Sequence, residues 1–171
     1  MRVKINCVPM KGVNDADIIP IARLAGSMPV DARFIELMPT AAGETMERIT
    51  GRDVYEQVKA VYTDLTPDAA RRGFGPARYY KSAGLRGRIG FISAIGDCFC
   101  HGCNRVRLTS EGFLKQCLYH GGGTDLRAML RNGAGDADLE SAVREVIYNK
   151  PERRSLESGQ DGIGSMSRIG G

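Results

Sequence analysis

Polar and apolar residues alternate at the start of the chain, fall into helical spacing, and then alternate again. Val3, Ile5 and Cys7 interleave with Lys4 and Asn6, the period-two pattern of a half-buried strand. A helix is expected over 15–26, with Asn14 as its cap and Asp15 and Asp17 favoured at the positive end of its dipole. Pro20 fits that helix only if it starts late or bends, because proline has no N–H to donate. A second strand is expected over 30–37, with Val30, Ala32 and Phe34 on one face and Asp31 and Arg33 on the other. Strand, helix and strand with short joints form a βαβ unit, so the two strands should be parallel neighbours. Thr50 and Asp53 then open a further helix whose apolar stripe carries Val54, Val58, Val61 and Tyr62.

The texture then changes. Residues 63–76 are turn-like and basic, with Pro67, Arg71, Arg72, Gly73, Gly75 and Pro76. Short strand patterns follow at 77–81 and 88–93, and a cysteine-bearing loop comes next. A hairpin is expected from strands 105–109 and 113–118 around the turn Ser110-Glu111-Gly112. Two helices close the patterned part, one near 125–131 capped by Thr124 and one near 137–149 capped by Asp136. The second carries Leu139, Ala142, Val143, Val146 and Ile147 on one stripe. The remainder, 151–171, is a flexible tail rich in Gly and Ser. A lone βαβ unit cannot bury both faces of a parallel sheet, so the chain is expected either to associate with something or to be the C-terminal part of a longer barrel.

Composition narrows the class. With 171 residues the chain is long enough to bury a core, and its hydrophobic share of 42% is ordinary for a globular protein. No apolar run spans a bilayer and nothing at the N-terminus reads as a signal peptide, so a soluble, cytoplasmic protein is expected, with no membrane partner. A net charge of +4 allows an anionic ligand but is too weak to argue for nucleic acid. Of the five cysteines, four lie between 98 and 117, a clustering that favours metal over disulfides in a reducing compartment.

Cys100-x-x-Cys103 is followed by thirteen residues and then Cys117. Two sulfurs on a tight turn can grip one metal or cluster edge, and the expected hairpin returns Cys117 towards them. His120, spaced Cys117-x-x-His120, could close a structural zinc ribbon, and Cys98 offers another fourth ligand. Spacing alone leaves zinc and iron–sulfur both open. Arg105 and Arg107 are two apart, so on a strand they point the same way, placed for a polyanion or a purine edge. Under the zinc alternative the chain is a non-catalytic ribbon that binds nucleic acid through Arg71, Arg72, Arg105 and Arg107.

The run Phe99-Cys100-His101-Gly102-Cys103-Asn104-Arg105-Val106-Arg107-Leu108-Thr109, with Gly112 and Cys117-Leu118 after it, resembles the C-terminal segment of the GTP 3′,8-cyclases of molybdenum cofactor biosynthesis, which are radical S-adenosylmethionine enzymes. The segments Val3-Lys4-Ile5-Asn6, Met10-Lys11-Gly12-Val13-Asn14-Asp15 and Arg33-Phe34-Ile35-Glu36-Leu37-Met38-Pro39 carry the same likeness, as does the ending Met166-Ser167-Arg168-Ile169-Gly170-Gly171. The resemblance implies an α/β fold: the C-terminal part of an incomplete TIM-like radical-SAM barrel, then a small β-rich cysteine-cluster domain with C-terminal helices. On that reading residues 1–62 are the last βα units of the barrel, 63–150 the cluster and substrate domain, and 151–171 the tail.

The same resemblance implies a lyase that converts GTP to 3′,8-cyclo-7,8-dihydro-GTP. It places a [4Fe–4S] cluster on Cys100, Cys103 and Cys117 with one iron open to the guanine. Arg105, Val106 and Arg107 fall at GTP-contacting positions, Lys4 near the triphosphate, Arg33 at a catalytically important arginine and Met38 at a contact to S-adenosylmethionine. Gly170 and Gly171 look like a double-glycine tail that reaches the active site. One departure stands beside the match. The Cys-x3-Cys-x2-Cys loop that holds the S-adenosylmethionine-cleaving cluster does not occur here, Cys7 being the lone cysteine before Cys98. The chain is therefore expected to be inactive alone, with the missing N-terminal half or a second copy as a partner, GTP as ligand and no nucleic acid.

Overall fold

A computed structural model of the chain describes residues 3–38, 46–70, 75–93, 99–118 and 121–152. It divides into two units, Met1–Phe99 and Cys100–Gly171.

In the first unit β1 (Val3–Cys7) leads into a single 3-10 turn at Asp15–Asp17 and then α1 (Ile18–Ser27). The chain continues through β2 (Val30–Ile35), α2 (Gly51–Val61), β3 (Thr66–Pro67), β4 (Arg78–Lys81) and β5 (Arg88–Ile92). One five-stranded sheet results, in the order β1-β2-β5-β4-β3. β1, β2 and β5 run parallel, as the βαβ pattern required of the first pair, while β4 and β3 add on antiparallel. The fold is mixed α/β.

Alternation decides which face is covered. Ala32, Phe34, Ile89 and Phe91 point to the helices and are buried against Ile18, Ala22 and Ala25 of α1 and Val54 and Val58 of α2. Each of the larger of these side chains, Ile, Val or Phe, taken out of water is worth about 1.5–3 kcal/mol, so this layer holds the unit together. Phe91 also meets Tyr80 and Tyr55 edge-on, at centroid separations of 5.4 and 5.7 Å.

Local signals at the helix starts are partly revised. α1 begins late, which puts Pro20 in the first turn, where its missing N–H has no intrahelical acceptor to lose. Asn14 does not cap α1 through its side chain. Its Oδ1 instead accepts from Met10 N–H at 2.7 Å and its Nδ2 donates to the Val8 carbonyl at 3.0 Å, pinning the loop after β1. For α2 the reading holds: Thr50 Oγ1 accepts from Asp53 N–H at 3.1 Å and Asp53 accepts in return from Thr50 N–H at 3.2 Å. The Thr50 hydroxyl, donating to Asp53 Oδ2 at 2.6 Å, and then the Thr50 N–H hold the Asp53 carboxyl below its ordinary value.

The expected boundary after residue 62 differs from the division after Phe99. The period-two runs at 77–81 and 88–93 do form strands, β4 and β5, but β5 docks beside β2 and carries β4 with it. A short strand advertises its two faces, not its neighbour, so this long-range pairing left no local mark.

The second unit opens on a 3-10 turn at Cys100–Gly102 and continues as β6 (Arg107–Leu108), β7 (Phe113–Lys115) and β8 (Gly123–Asp125). These make an antiparallel sheet in the order β6-β7-β8, followed by α3 (Leu126–Arg131) and α4 (Asp136–Tyr148). The hairpin is where it was expected but shorter, turning through Gly112 at φ +82°. β8 carries no alternation and was not foreseen. Two caps move by one residue: Asp125, not Thr124, accepts from Ala128 N–H at 2.8 Å, and Gly135, not Asp136, precedes α4. Ile147 of the expected stripe is 51% exposed, leaving Val146 as the buried residue of α4. Residues 153–171, with Gly170 and Gly171, lie outside the described residues, as do Arg71, Arg72, Cys98 and His120. No helix among the described residues is long and apolar enough to cross a membrane.

At the entry to β5 the backbone passes so close to β2 that a Cβ on Gly87 would stand 1.7 Å from the Val30 carbonyl oxygen. Gly87→Ala must push β5 off β2 and is expected to cost about 2–3 kcal/mol, read as a lower urea midpoint with an unchanged slope. A variant as stable as the wild type would show that this approach is not required.

Candidate functional site

The sheet face turned away from the helices is polar. In register across the strands, Lys4 of β1 lies beside Asp31 of β2, which lies beside Arg88 of β5. In the next row outward Asn6 lies beside Arg33, then Gly90, then Tyr79 of β4. Asp31 is only 2% exposed, so its carboxylate sits in the sheet interior with a cation on each flanking strand. Arg33 is aimed by its neighbour, Nε donating to Asn6 Oδ1 at 2.7 Å. Arg88 Nε donates to Asp68 Oδ2 at 2.7 Å, and Lys4 Nζ stands 5.9 Å from the centroid of the Tyr79 ring. The structure thus brings Lys4 and Arg33 onto one face. Met38 follows three residues after the end of β2 and is half-buried.

On the other face, beyond the carboxyl ends of the strands, a cleft of about 450 Å³ is lined by Glu36, Thr50, Arg52, Tyr55, Arg78 and Ser93, among others. None of the residues singled out from the sequence as a site residue lines it. Lys4 and Arg33 therefore stand apart from this cleft.

In the second unit Cys100 and Cys103 share one turn, closed by the Cys103 N–H donating to the Cys100 carbonyl at 3.0 Å. Cys117 follows β7. All three are half-buried and none is in a disulfide, the state a soft-metal donor set requires. Among the described residues, however, no three His, Cys, Asp or Glu side chains are gathered to hold one metal ion. The donors fit a cluster in kind, and the polypeptide has not drawn them into one coordination sphere. Cys7 belongs elsewhere: it is buried in the apolar core of the first unit, and burial, helped by Asp17, pushes its thiol up and keeps it protonated.

The hairpin gathers cations beside these thiols. Arg107 pairs directly with Lys115, and Arg105 and Val106 are exposed just before it. Lys115 is 5% exposed; burial lowers its pKa, Arg107 lowers it further and Cys117 opposes both. Lys150, just past α4, donates to the carbonyl of Arg105 and, at 2.9 Å, to that of Gln116. It ties the segment leaving the cysteine turn to the segment carrying Cys117.

Residues 30–156 match the family described as Molybdenum Cofactor Synthesis C. The chain belongs to that family. Among its relatives, the GTP 3′,8-cyclase of Clostridium perfringens (strain SM101 / Type A) is 41% identical over 157 residues, covering 92% of this chain and 49% of the relative. The GTP 3′,8-cyclase of Heliobacterium modesticaldum is 43% identical over 176 residues, covering 99% and 53%. That of Pelotomaculum thermopropionicum is 37% identical over 172 residues, again 99% and 53%. The chain spans about half the length of the curated relatives it matches, aligning with their C-terminal half.

For a chain of the Molybdenum Cofactor Synthesis C family, the features that sequence reasoning missed are Tyr79, Gly90, Lys115 and Lys150. Tyr79 and Gly90 gave no signal, because their position opposite Arg33 depends on β5 docking at β2. Lys150 stands after a helix and reads as surface. Lys150→Met is expected to leave helical content intact while speeding amide hydrogen exchange at 107–115 about five- to tenfold, since a charge-assisted bond is worth about 1.5–3 kcal/mol before solvent screening. Unchanged exchange would mean that the hairpin base is held by other contacts.

Proposed function

We propose that this chain supplies the substrate-holding half of a GTP 3′,8-cyclase. The observation that carries the reading is the polar sheet face. Parallel sheets are ordinarily dry on both faces, so a face that carries Lys4 and, one row further on, Arg33 held by Asn6 supports an anionic ligand there. The relatives' printed activity names GTP as one that fits.

In this reading Lys4 neutralises the triphosphate, and Arg33, which cannot lose its charge, orients the ribose end of the nucleotide. Arg105, Val106 and Arg107 contact GTP from the hairpin, whose opposed cations Arg107 and Lys115 make it electropositive. Met38 contacts S-adenosylmethionine. Cys100, Cys103 and Cys117 would hold a [4Fe–4S] cluster, which when bound supplies one iron with a vacant position for the guanine ring. Lys150 steadies the two segments that bear those thiols. Fixing the nucleotide in one pose is what a cyclisation within GTP needs most, because competing reactions of a radical are suppressed by geometry.

Reconstituted without oxygen, the chain is expected to hold about four irons, with broad visible absorbance. His120→Ala should leave that content unchanged. Zinc in place of iron, lost in His120→Ala, would replace this reading with the zinc ribbon, as would RNA affinity falling steeply with salt. The purified chain is expected to show no cyclisation of GTP when supplied with S-adenosylmethionine and reductant, because it carries no Cys-x3-Cys-x2-Cys loop; measured turnover would overturn that.

A further inference from the structure

Three side chains from three strands converge over one glycine. Gly90, at the centre of the polar face, is the direct cross-strand partner of both Arg33 and Tyr79. A Cβ there would stand 3.0 Å from Tyr79 Cε1 and 3.2 Å from Arg33 Cγ. The ring from β4 and the stem from β2 therefore both lie across the space that a side chain on β5 would fill. Lys4 reaches the same ring from β1, 5.9 Å from its centroid. Tyr79 is 8% exposed, and its hydroxyl is buried without a hydrogen-bond partner among the described residues. A buried hydroxyl with no partner costs about 1–3 kcal/mol, and a phenylalanine would pack the same ring at no such cost.

We infer that Tyr79 is a ligand-binding residue of this face: its ring seats the Lys4 ammonium, and its hydroxyl donates to an anionic oxygen of the nucleotide's phosphate chain. The inference rests on the reading of Lys4 and Arg33 as the GTP side of the protein and adds a third group to it. Phosphate suits the position. It offers acceptors only, and the hydroxyl proton is a donor that carries no charge of its own. Two cations and a neutral donor around one anion also limit the repulsion that a third cation would add. Gly90 is then the permissive element, since any larger residue would drive the tyrosine and the arginine apart.

The test compares the full chain with its Tyr79→Phe and Lys4→Met variants for binding of GTP, inorganic tripolyphosphate and guanosine by calorimetry, with a melting temperature for each protein without ligand. Tyr79→Phe should weaken GTP and tripolyphosphate about three- to tenfold, leave guanosine unchanged, and melt at the wild-type temperature or above it. Wild-type affinity for GTP in Tyr79→Phe, with that affinity lost in Lys4→Met, would overturn the inference and leave the GTP reading standing. A weakened Tyr79→Phe that also melts lower would assign the hydroxyl a structural role and overturn it as well. No binding of GTP by the wild-type chain, or none lost in Lys4→Met, would remove the GTP reading and this inference together.

Discussion

A carboxylate at 2% exposure in the second strand of a parallel sheet needs opposite charge beside it, because burying it alone would cost far more than one domain's net stability. Asp31 stands in register between Lys4 on β1 and Arg88 on β5, and the Arg88 guanidinium is itself bonded to Asp68. The order β1-β2-β5 is therefore an electrostatic arrangement as much as a hydrophobic one. A slip of one residue would turn Lys4 and Arg33 into the helix layer and bring Ala32 and Phe34 out of it. Apolar packing on one face and the placing of opposite charges in neighbouring strands on the other are both met by this register, which fixes where Lys4 and Arg33 can stand.

That double constraint explains how a small unit keeps a polar face. Replacing a buried ion pair with apolar residues is often neutral or stabilising, so charge here is not the economical route to stability. The Asn6–Arg33 bond, the seat over Gly90 and the Lys4–Tyr79 contact restrict side chains that would otherwise move freely. Restriction of that kind serves recognition of a charged ligand, where the entropy of ordering is spent before binding. The second unit follows a different plan. Its short strands carry little core, and its thiols are half-buried on turns and ends, where a metal could draw them together.

Much of the local architecture could be read from alternation and caps. Val3, Ile5 and Cys7 against Lys4 and Asn6 specified β1 and its faces, and Thr50 with Asp53 specified the start of α2. The misreadings arose where two local partners compete. Asn14 and Thr124 are both competent caps, yet Asn14 is used by the loop at Val8 and Met10, and Asp125 takes the place of Thr124. The cysteine spacing announced soft-metal chemistry, whereas a gathered ligand sphere is not present among the described residues.

By itself the sequence determined period, face and chemistry: which residues point together along one strand, where thiols and guanidiniums cluster, and which family the chain resembles. These follow from interactions between residues a few positions apart, whose geometry is set by the backbone's fixed repeat. Only the tertiary structure decided that β5 lies against β2, carrying β4 behind it, and so set Tyr79 across Gly90 from Arg33. Pairing between strands more than fifty residues apart in the chain depends on the total surface each arrangement buries, a quantity that no short stretch of residues contains.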